Sequence, residues 1–302
     1  MSASRPAIPP TSLSIDPPPG MNVPDLTVAL CPIEISHADP QANLSRVLTA
    51  VSILPPSVSL LVLPELFSTG FIEEQPDIDR LSADPARSTL DELSRIAAYR
   101  RIAISGSLLM RDAADRPANM GFFINPDILD SGSRPSVTFY PKRHLFNLSN
   151  ESRTVIHGTV LPPVIGFRGW RISLVVCYDL RFPAWCRNAA DRPYDLMLVP
   201  ANWPDKRSYP WHTLLKARAI ENQAVWIGVD CLGSDRFGTY SPSMTAAYDC
   251  MGRPLPPDGD GTPLIARPDL QLSLVTLNHA EILTARDRFP VLLDSDTFTL
   301  TL

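Results

Sequence analysis

The sequence predicts an α/β fold, and three observations carry that expectation. Short continuous apolar runs at 26–30, 60–63, 172–176, 196–199 and 225–229 have the length and composition of strands buried on both faces. Amphipathic stretches of helical period lie between them, at 40–51, 88–101, 184–190 and 207–222. The chain has no fixed-period repeat, no low-complexity segment inside the domain and no long linker, so a single layered domain accounts for the alternation.

Each element has its own justification. Residues 1–24 contain Pro6, Pro9, Pro10, Pro17, Pro18 and Pro19 and little that can be buried. They are expected to form a disordered tail, without the apolar core of a signal peptide, ahead of a domain over 25–302. The strand at 26–30 leads to a helix at 40–51 and a buried strand at 60–63. Ser88 is placed to cap a helix over 88–101, and a strand at 102–109 follows. The segments 122–125 and 137–140 read as an antiparallel pair. The run at 172–176 breaks into a turn at Cys177, with a helix expected after Pro183. Later strands near 244–248 and 272–277 lead to a short helix and an extended tail.

Composition narrows the function. A chain of 302 residues, 44% hydrophobic and 20% charged, has the make-up of an ordinary globular protein with a sizeable core. The net charge of −5, with no basic block, argues against nucleic acid as a partner. No apolar stretch approaches the ~18 residues that cross a bilayer. The cysteines are five, an odd number, and none forms a Cys-x-x-Cys pair. That argues against a disulfide framework or a zinc site and makes a reducing cytoplasm the expected compartment. No phosphate-cradling glycine loop, dinucleotide fingerprint or metal-ligand cluster appears, so no cofactor and no metal are expected.

Three strand ends carry residue types suited to chemistry. Cys177 ends an apolar run, where the strand fixes a thiol, the turn exposes it, and N–H groups of a following helix can lower its pKa. A buried free cysteine is by itself more often an inert packing residue. Glu65 follows Leu61-Val62-Leu63-Pro64 and precedes Leu66 and Phe67, surroundings that raise a carboxyl pKa toward the range of a general base. Its bland alternative is a helix-start glutamate in a solvated loop. Lys142 stands among Phe139, Tyr140, His144 and Phe146, where it could serve as a fixed positive charge, although lysines are mostly solvated. Open α/β sheets bind ligands at the C-terminal ends of their strands, where all three residues fall. Cysteine hydrolases also pair the thiol with histidine, and His37, His144, His157, His212 and His279 leave that rival open, His144 above all.

LPELFSTGF (63–71), YPKRHLF (140–146) and VVCYDLRFP (175–183), in this order and separation, resemble the three signature segments of the nitrilase superfamily of carbon–nitrogen hydrolases. Asn202-Trp203-Pro204 and the run from Lys216 to Gln223 are most similar to its omega-amidase branch. The resemblance covers about 25–302 and implies a four-layer αββα sandwich that pairs as a homodimer. It implies a triad of Glu65, Lys142 and Cys177, supported by Glu151, with the Tyr178 N–H as an oxyanion donor. The implied reaction hydrolyses the terminal amide of small 2-oxo dicarboxylate monoamides such as 2-oxoglutaramate, through a thioester, with water as second substrate and ammonia released. Arg181 and Arg207 are candidates for binding the substrate carboxylate, and Phe71, Phe146 and Trp203 for an apolar wall. A nitrilase, a carbamoyl-amide hydrolase or an amide-forming synthase on the same fold, or a non-catalytic binding protein, are the alternatives. Three details depart from the branch. Pro141 precedes the lysine where aspartate is common, Cys186 stands where serine is usual, and 238–243 lacks the usual Gly/Asp-Ser arrangement. Pro141 removes an N–H and stiffens the segment that carries Lys142.

Overall fold

The apolar runs become the central strands of two sheets because both faces of each run meet apolar partners. The structure is a computed structural model and describes residues 23–296 and 298–300. Strand β1 (Leu26–Leu30) is followed by α1 (Pro40–Ile53), β2 (Val58–Val62), α2 (Gln75–Leu81), α3 (Asp84–Arg100), β3 (Ala103–Arg111), β4 (Pro117–Leu129), β5 (Pro135–Pro141) and the one-turn α4 (Glu151–Thr154). Next come β6 (Val164–Phe167), β7 (Trp170–Leu174), β8 (Leu196–Pro200), α5 (Ser208–Asn222) and β9 (Val225–Val229). The chain ends with β10 (Gly233–Asp235), β11 (Gly238–Tyr240), β12 (Ala246–Tyr248), β13 (Ile265–Arg267), β14 (Leu270–Leu277) and α6 (His279–Arg288).

One sheet has the order β13-β14-β1-β2-β3-β4-β5, the other β12-β9-β8-β7-β6. The centres, β1-β2-β3 and β9-β8-β7, are parallel, and the flanking strands are antiparallel. Leu60 and Val62 of β2 enter the core shared with Leu174 and Leu198 of the facing sheet. Leu61 and Leu63 belong instead to the cluster under Val47 and Ala50 of α1 and Leu93 and Ala97 of α3. Trp211 and Leu215 of α5 and Ile282 of α6 pack on the second sheet. The result is the expected αββα sandwich. At Gly121 of β4 a Cβ would lie 2.6 Å from Leu174 Cδ1, so the sheets close there only over a residue without a side chain.

Several elements differ from expectation. Val23 is buried, and the Pro24 carbonyl accepts the Trp170 Nε1–H at 2.9 Å, so these two residues belong to the packed domain and not to the tail. The rest of the expected tail, 1–22, lies outside the described residues. Helix α3 starts at Asp84 rather than Ser88, because Pro85 presets the backbone of its first turn and no side chain caps it. No helix forms over 184–190. The Asn188 N–H donates to Asn222 Oδ1, and its side-chain amide donates to the carbonyls of Tyr194 and Asn222, so tertiary bonds replace the helical ladder.

Candidate active site

Glu65 and Cys177 stand beyond the C-terminal ends of central parallel strands, and Lys142 beyond the end of the antiparallel edge strand β5. Glu65 sits in the turn after β2, where Leu66 adopts φ +46° and its N–H donates to Ser107 Oγ at 2.8 Å. Lys142 follows β5, and its backbone extends the ladder by donating to the Asn119 carbonyl at 2.9 Å. Cys177 follows β7 and opens a 3₁₀ turn over Cys177–Arg181. Its φ of +43° is the left-handed region, a strain of roughly 1–3 kcal/mol for a residue other than glycine, held by the surrounding bonds.

Glu65, Lys142 and Glu151 meet in one buried cluster. Lys142 Nζ lies 2.7 Å from Glu65 Oε1 and 2.8 Å from Glu151 Oε2, and the ammonium and the Glu65 carboxylate are fully shielded from solvent. The solvated readings of Glu65 and Lys142 are therefore excluded. Asn119 Nδ2 bridges the two carboxylates, at 2.8 Å to Glu65 and 2.9 Å to Glu151. The Asn202 N–H donates to Glu65 Oε2 at 3.0 Å, and the Phe146 N–H to Glu151 Oε2 at 2.7 Å. Burial raises the Glu65 pKa, Lys142 opposes the rise and Glu151 adds to it. Burial alone would lower Lys142, but Glu151 and Glu65 outweigh it and hold the ammonium above its ordinary range.

The thiol departs from expectation in its acidity. Burial pushes Cys177 well above the ordinary thiol range, and the Glu65 charge pushes it further, against the pull of Lys142. The expected helix that would have lowered it is absent, and burial and the Glu65 charge favour the protonated thiol.

His144 bonds to Asp179 and not to the thiol. Its Nδ1 lies 2.8 Å from Asp179 Oδ1, and its ring stacks on Phe182 with centroids 3.6 Å apart. Buried Asp179 also accepts from the Tyr140 hydroxyl at 2.8 Å, from the His144 N–H at 2.9 Å and from the Val176 N–H at 3.1 Å. Tyr140 and His144 flank Lys142, and Asp179 follows Cys177 by two residues. This carboxylate therefore ties the lysine segment to the cysteine turn. His37, His157 and His212 bond elsewhere, to the Phe71 carbonyl, Arg143 and Tyr248 respectively, and His279 Nε2 lies 3.4 Å from Asp195 Oδ2.

Above the cluster, Cys177 and Tyr178 border a cleft of about 290 Å³ together with Phe71, Phe146, Arg181, Asn202, Trp203 and Arg207. The three aromatic residues expected as an apolar wall and the two arginines expected to bind a carboxylate thus share one cleft with the thiol. The Arg181 guanidinium lies 4.7 Å from the Trp203 ring centroid and that of Arg207 lies 5.3 Å from Phe146. Neither guanidinium has a carboxylate partner among the described residues. Sequence reading missed Asn119, whose role depends on β4 running alongside β5, and the buried Asp230 at the end of β9, whose Oδ1 accepts the N–H groups of Trp203 and Cys231.

Pro141 is the last residue of β5, and its carbonyl is approached by Gly158, whose N–H donates to the Lys142 carbonyl at 2.8 Å. A Cβ on Gly158 would stand 2.0 Å from the Pro141 oxygen. Gly158→Ala is expected to displace the Lys142 segment, lower stability by about 1–3 kcal/mol and reduce turnover, as thermal unfolding and rate assays would show.

The family model of carbon–nitrogen hydrolases matches residues 27–279. The chain belongs to that family. Among the relatives of this carbon–nitrogen hydrolase, the "Omega-amidase YafV" of Yersinia enterocolitica is 36% identical over 241 residues, 80% of this chain and 86% of the relative. The "2-oxoglutaramate amidase" of Bacillus subtilis is 29% identical over 210 residues, 69% of this chain and 77% of the relative. The crystal structure of XC1258 from Xanthomonas campestris, described as a CN-hydrolase superfamily protein with an arsenic adduct in the active site, superposes with a TM-score of 0.78. It is 32% identical and covers 92% of this chain and 100% of that one. No helix among the described residues of this carbon–nitrogen hydrolase is long and apolar enough to cross a membrane.

Proposed function

We propose that this carbon–nitrogen hydrolase is an omega-amidase that releases ammonia from the terminal amide of small 2-oxo dicarboxylate monoamides, 2-oxoglutaramate and 2-oxosuccinamate. The observation that carries the reading is one small cleft with Cys177 at its edge, a buried carboxylate–ammonium cluster beneath, and two guanidinium groups in its wall without acidic partners among the described residues. Relatives named omega-amidase and 2-oxoglutaramate amidase support the substrate class.

The chemistry follows from the resting charges. Glu65 takes the thiol proton as Sγ attacks the amide carbonyl, because a protonated thiol is a poor nucleophile. Negative charge on the tetrahedral oxygen is met by Lys142 and by the N–H of Tyr178, which in the first turn has no intrahelical acceptor. Three carboxylate oxygens already surround Nζ, and the longest contact, 3.1 Å to Glu151 Oε1, is the one that yields to the oxyanion. Glu65 returns its proton to the departing nitrogen, ammonia leaves, and the thioester remains. Water, deprotonated by Glu65, attacks it, and the acid product and the thiol are regenerated.

Ammonia release from 2-oxoglutaramate, 2-oxosuccinamate, carbamoyl amino acids and simple nitriles tests the proposal. Preference for a nitrile or a carbamoyl compound would overturn the substrate class, and the absence of both turnover and Cys177 alkylation would favour a binding protein. Arg181→Ala and Arg207→Ala separate the two guanidiniums. A charge-assisted bond is worth ~1.5–3 kcal/mol, so losing the carboxylate ligand raises KM for 2-oxoglutaramate about 10- to 100-fold with a smaller change in kcat. The other substitution is expected to leave KM within about threefold. We also propose a cytoplasmic homodimer. The free thiols support the compartment, and the exposed Tyr209 and Ile220 on α5 support a pairing face, which light scattering would test.

A further inference from the structure

We propose that Asp230 is a positioning residue that works as a neutral carboxylic acid, holding the Ala201–Trp203 segment against Glu65 without placing another negative charge beside it. The inference rests on the reading of Cys177 and Glu65 as the reacting pair. Cys177 follows β7, Asn202 follows β8 and Asp230 follows β9, and these three strands are adjacent and parallel. Asp230 is fully buried. Its Oδ1 accepts the Trp203 N–H at 2.8 Å and the Cys231 N–H at 3.0 Å, while Oδ2 is shielded from solvent with no hydrogen-bond partner.

The segment that Asp230 grips also grips the base. The Asn202 N–H donates to Glu65 Oε2, and the Ala201 carbonyl accepts the Glu65 N–H at 3.4 Å. Trp203 in turn underlies Arg181. Chief among the titratable groups bearing on Asp230 are Glu65 after β2 and Asp205 after β8, with the neighbouring Cys231 and Tyr240 on the β10–β11 hairpin also interacting with it. None is a cation, and no ion pair reaches Asp230 among the described residues. An ionised carboxylate here would be buried beside two others with one oxygen unpaired, which costs several kcal/mol. A proton on Oδ2 replaces the buried charge by a neutral hydroxyl, whose burial costs far less, and keeps both bonds to Oδ1. Burial and the two neighbouring carboxylates drive the group the same way, well above the ordinary carboxylate range.

The test compares Asp230→Ala and Asp230→Asn in the full chain. Alanine removes the acceptor for Trp203, so kcat for ammonia release and the rate of Cys177 alkylation by iodoacetamide are expected to fall about tenfold or more. Asparagine keeps the acceptor and the neutral charge. It should restore both rates and leave the pH profile of alkylation unmoved. If Asp230 were ionised, asparagine would remove a charge next to Glu65 and shift that profile to lower pH by about half a unit or more, which would overturn the proposal. Wild-type rates in the alanine variant would overturn the positioning role. Difference infrared spectra give a readout independent of turnover and of alanine folding. A protonated-carboxyl band present in wild type and missing in Asp230→Asn is the expected result, and its absence from wild type refutes the neutral acid. Loss of ammonia release from every substrate in the wild type would sink the functional reading while leaving the infrared result standing.

Discussion

Cys177→Ala is expected to lower ammonia release by at least about 10⁴-fold while leaving the fold intact. The thiol is the strongest nucleophile type among the residues bordering the cleft, and Glu65 is fully buried. Losing one sulfur from a φ +43° position does not deepen the backbone strain, since alanine and cysteine carry the same Cβ there. Circular dichroism should therefore match wild type as activity disappears. Turnover within about tenfold of wild type in the folded variant would end the thioester mechanism. The wild-type pH dependence has a definite sign. Burial raises Glu65, so the acid limb of kcat/KM lies above the ordinary glutamate range of about 4.3, and the rate climbs as the base ionises. Burial also raises the thiol, so alkylation of Cys177 by iodoacetamide accelerates from neutral toward alkaline pH. Glu65→Gln should slow that labelling, and His144→Gln should not, because His144 bonds to Asp179 and not to the thiol.

Local pattern made the central strands legible. The runs of β1 and β2 divide their apolar side chains between two cores, while β8 and β9 are buried on both faces within one, and that constraint is written residue by residue. The strand ends were legible for the same reason, since Glu65, Lys142 and Cys177 each interrupt an apolar context with a group able to do chemistry. What depends on tertiary bonding was not. Asn119 sits in a strand whose sequence gives no hint that its amide joins two carboxylates 54 and 32 residues away in the chain. The stretch at 184–190 has helical periodicity, yet Asn188 finds Asn222 and Tyr194, and these bonds outweigh propensity. The acidity of the thiol is not legible, because it depends on the depth of burial and on the charge of Glu65, neither of which has a local signature. Asp230 looks like an ordinary strand exit until the missing partner of Oδ2 is seen.

Lys142→Met is expected to damage turnover and stability together, and acidification should relieve the second loss but not the first. Methionine preserves the length of the stem but leaves Glu65 and Glu151, both buried and bridged by Asn119, without the ammonium between them. Removing one partner of a buried ion pair typically costs about 3–5 kcal/mol, and removing an oxyanion donor costs roughly 100-fold or more in kcat. Lys142 lowers the Glu65 pKa in wild type, so its loss raises a value that burial has already raised. A carboxyl group whose folded pKa exceeds its unfolded one binds its proton more tightly in the native state. Its contribution is fully present below the unfolded pKa and is lost as pH rises through the folded pKa. The variant should accordingly unfold at lower denaturant at pH 8 than at pH 5, with a steeper slope than wild type. Activity should not recover on acidification, since the protonated Glu65 is no base. Adding Glu151→Gln to Lys142→Met should restore much of the stability at pH 8, because only one carboxylate then remains, and none of the turnover. A single Lys142→Met variant as stable as wild type at pH 8 would show that the three charges are not coupled as their 2.7 and 2.8 Å contacts require.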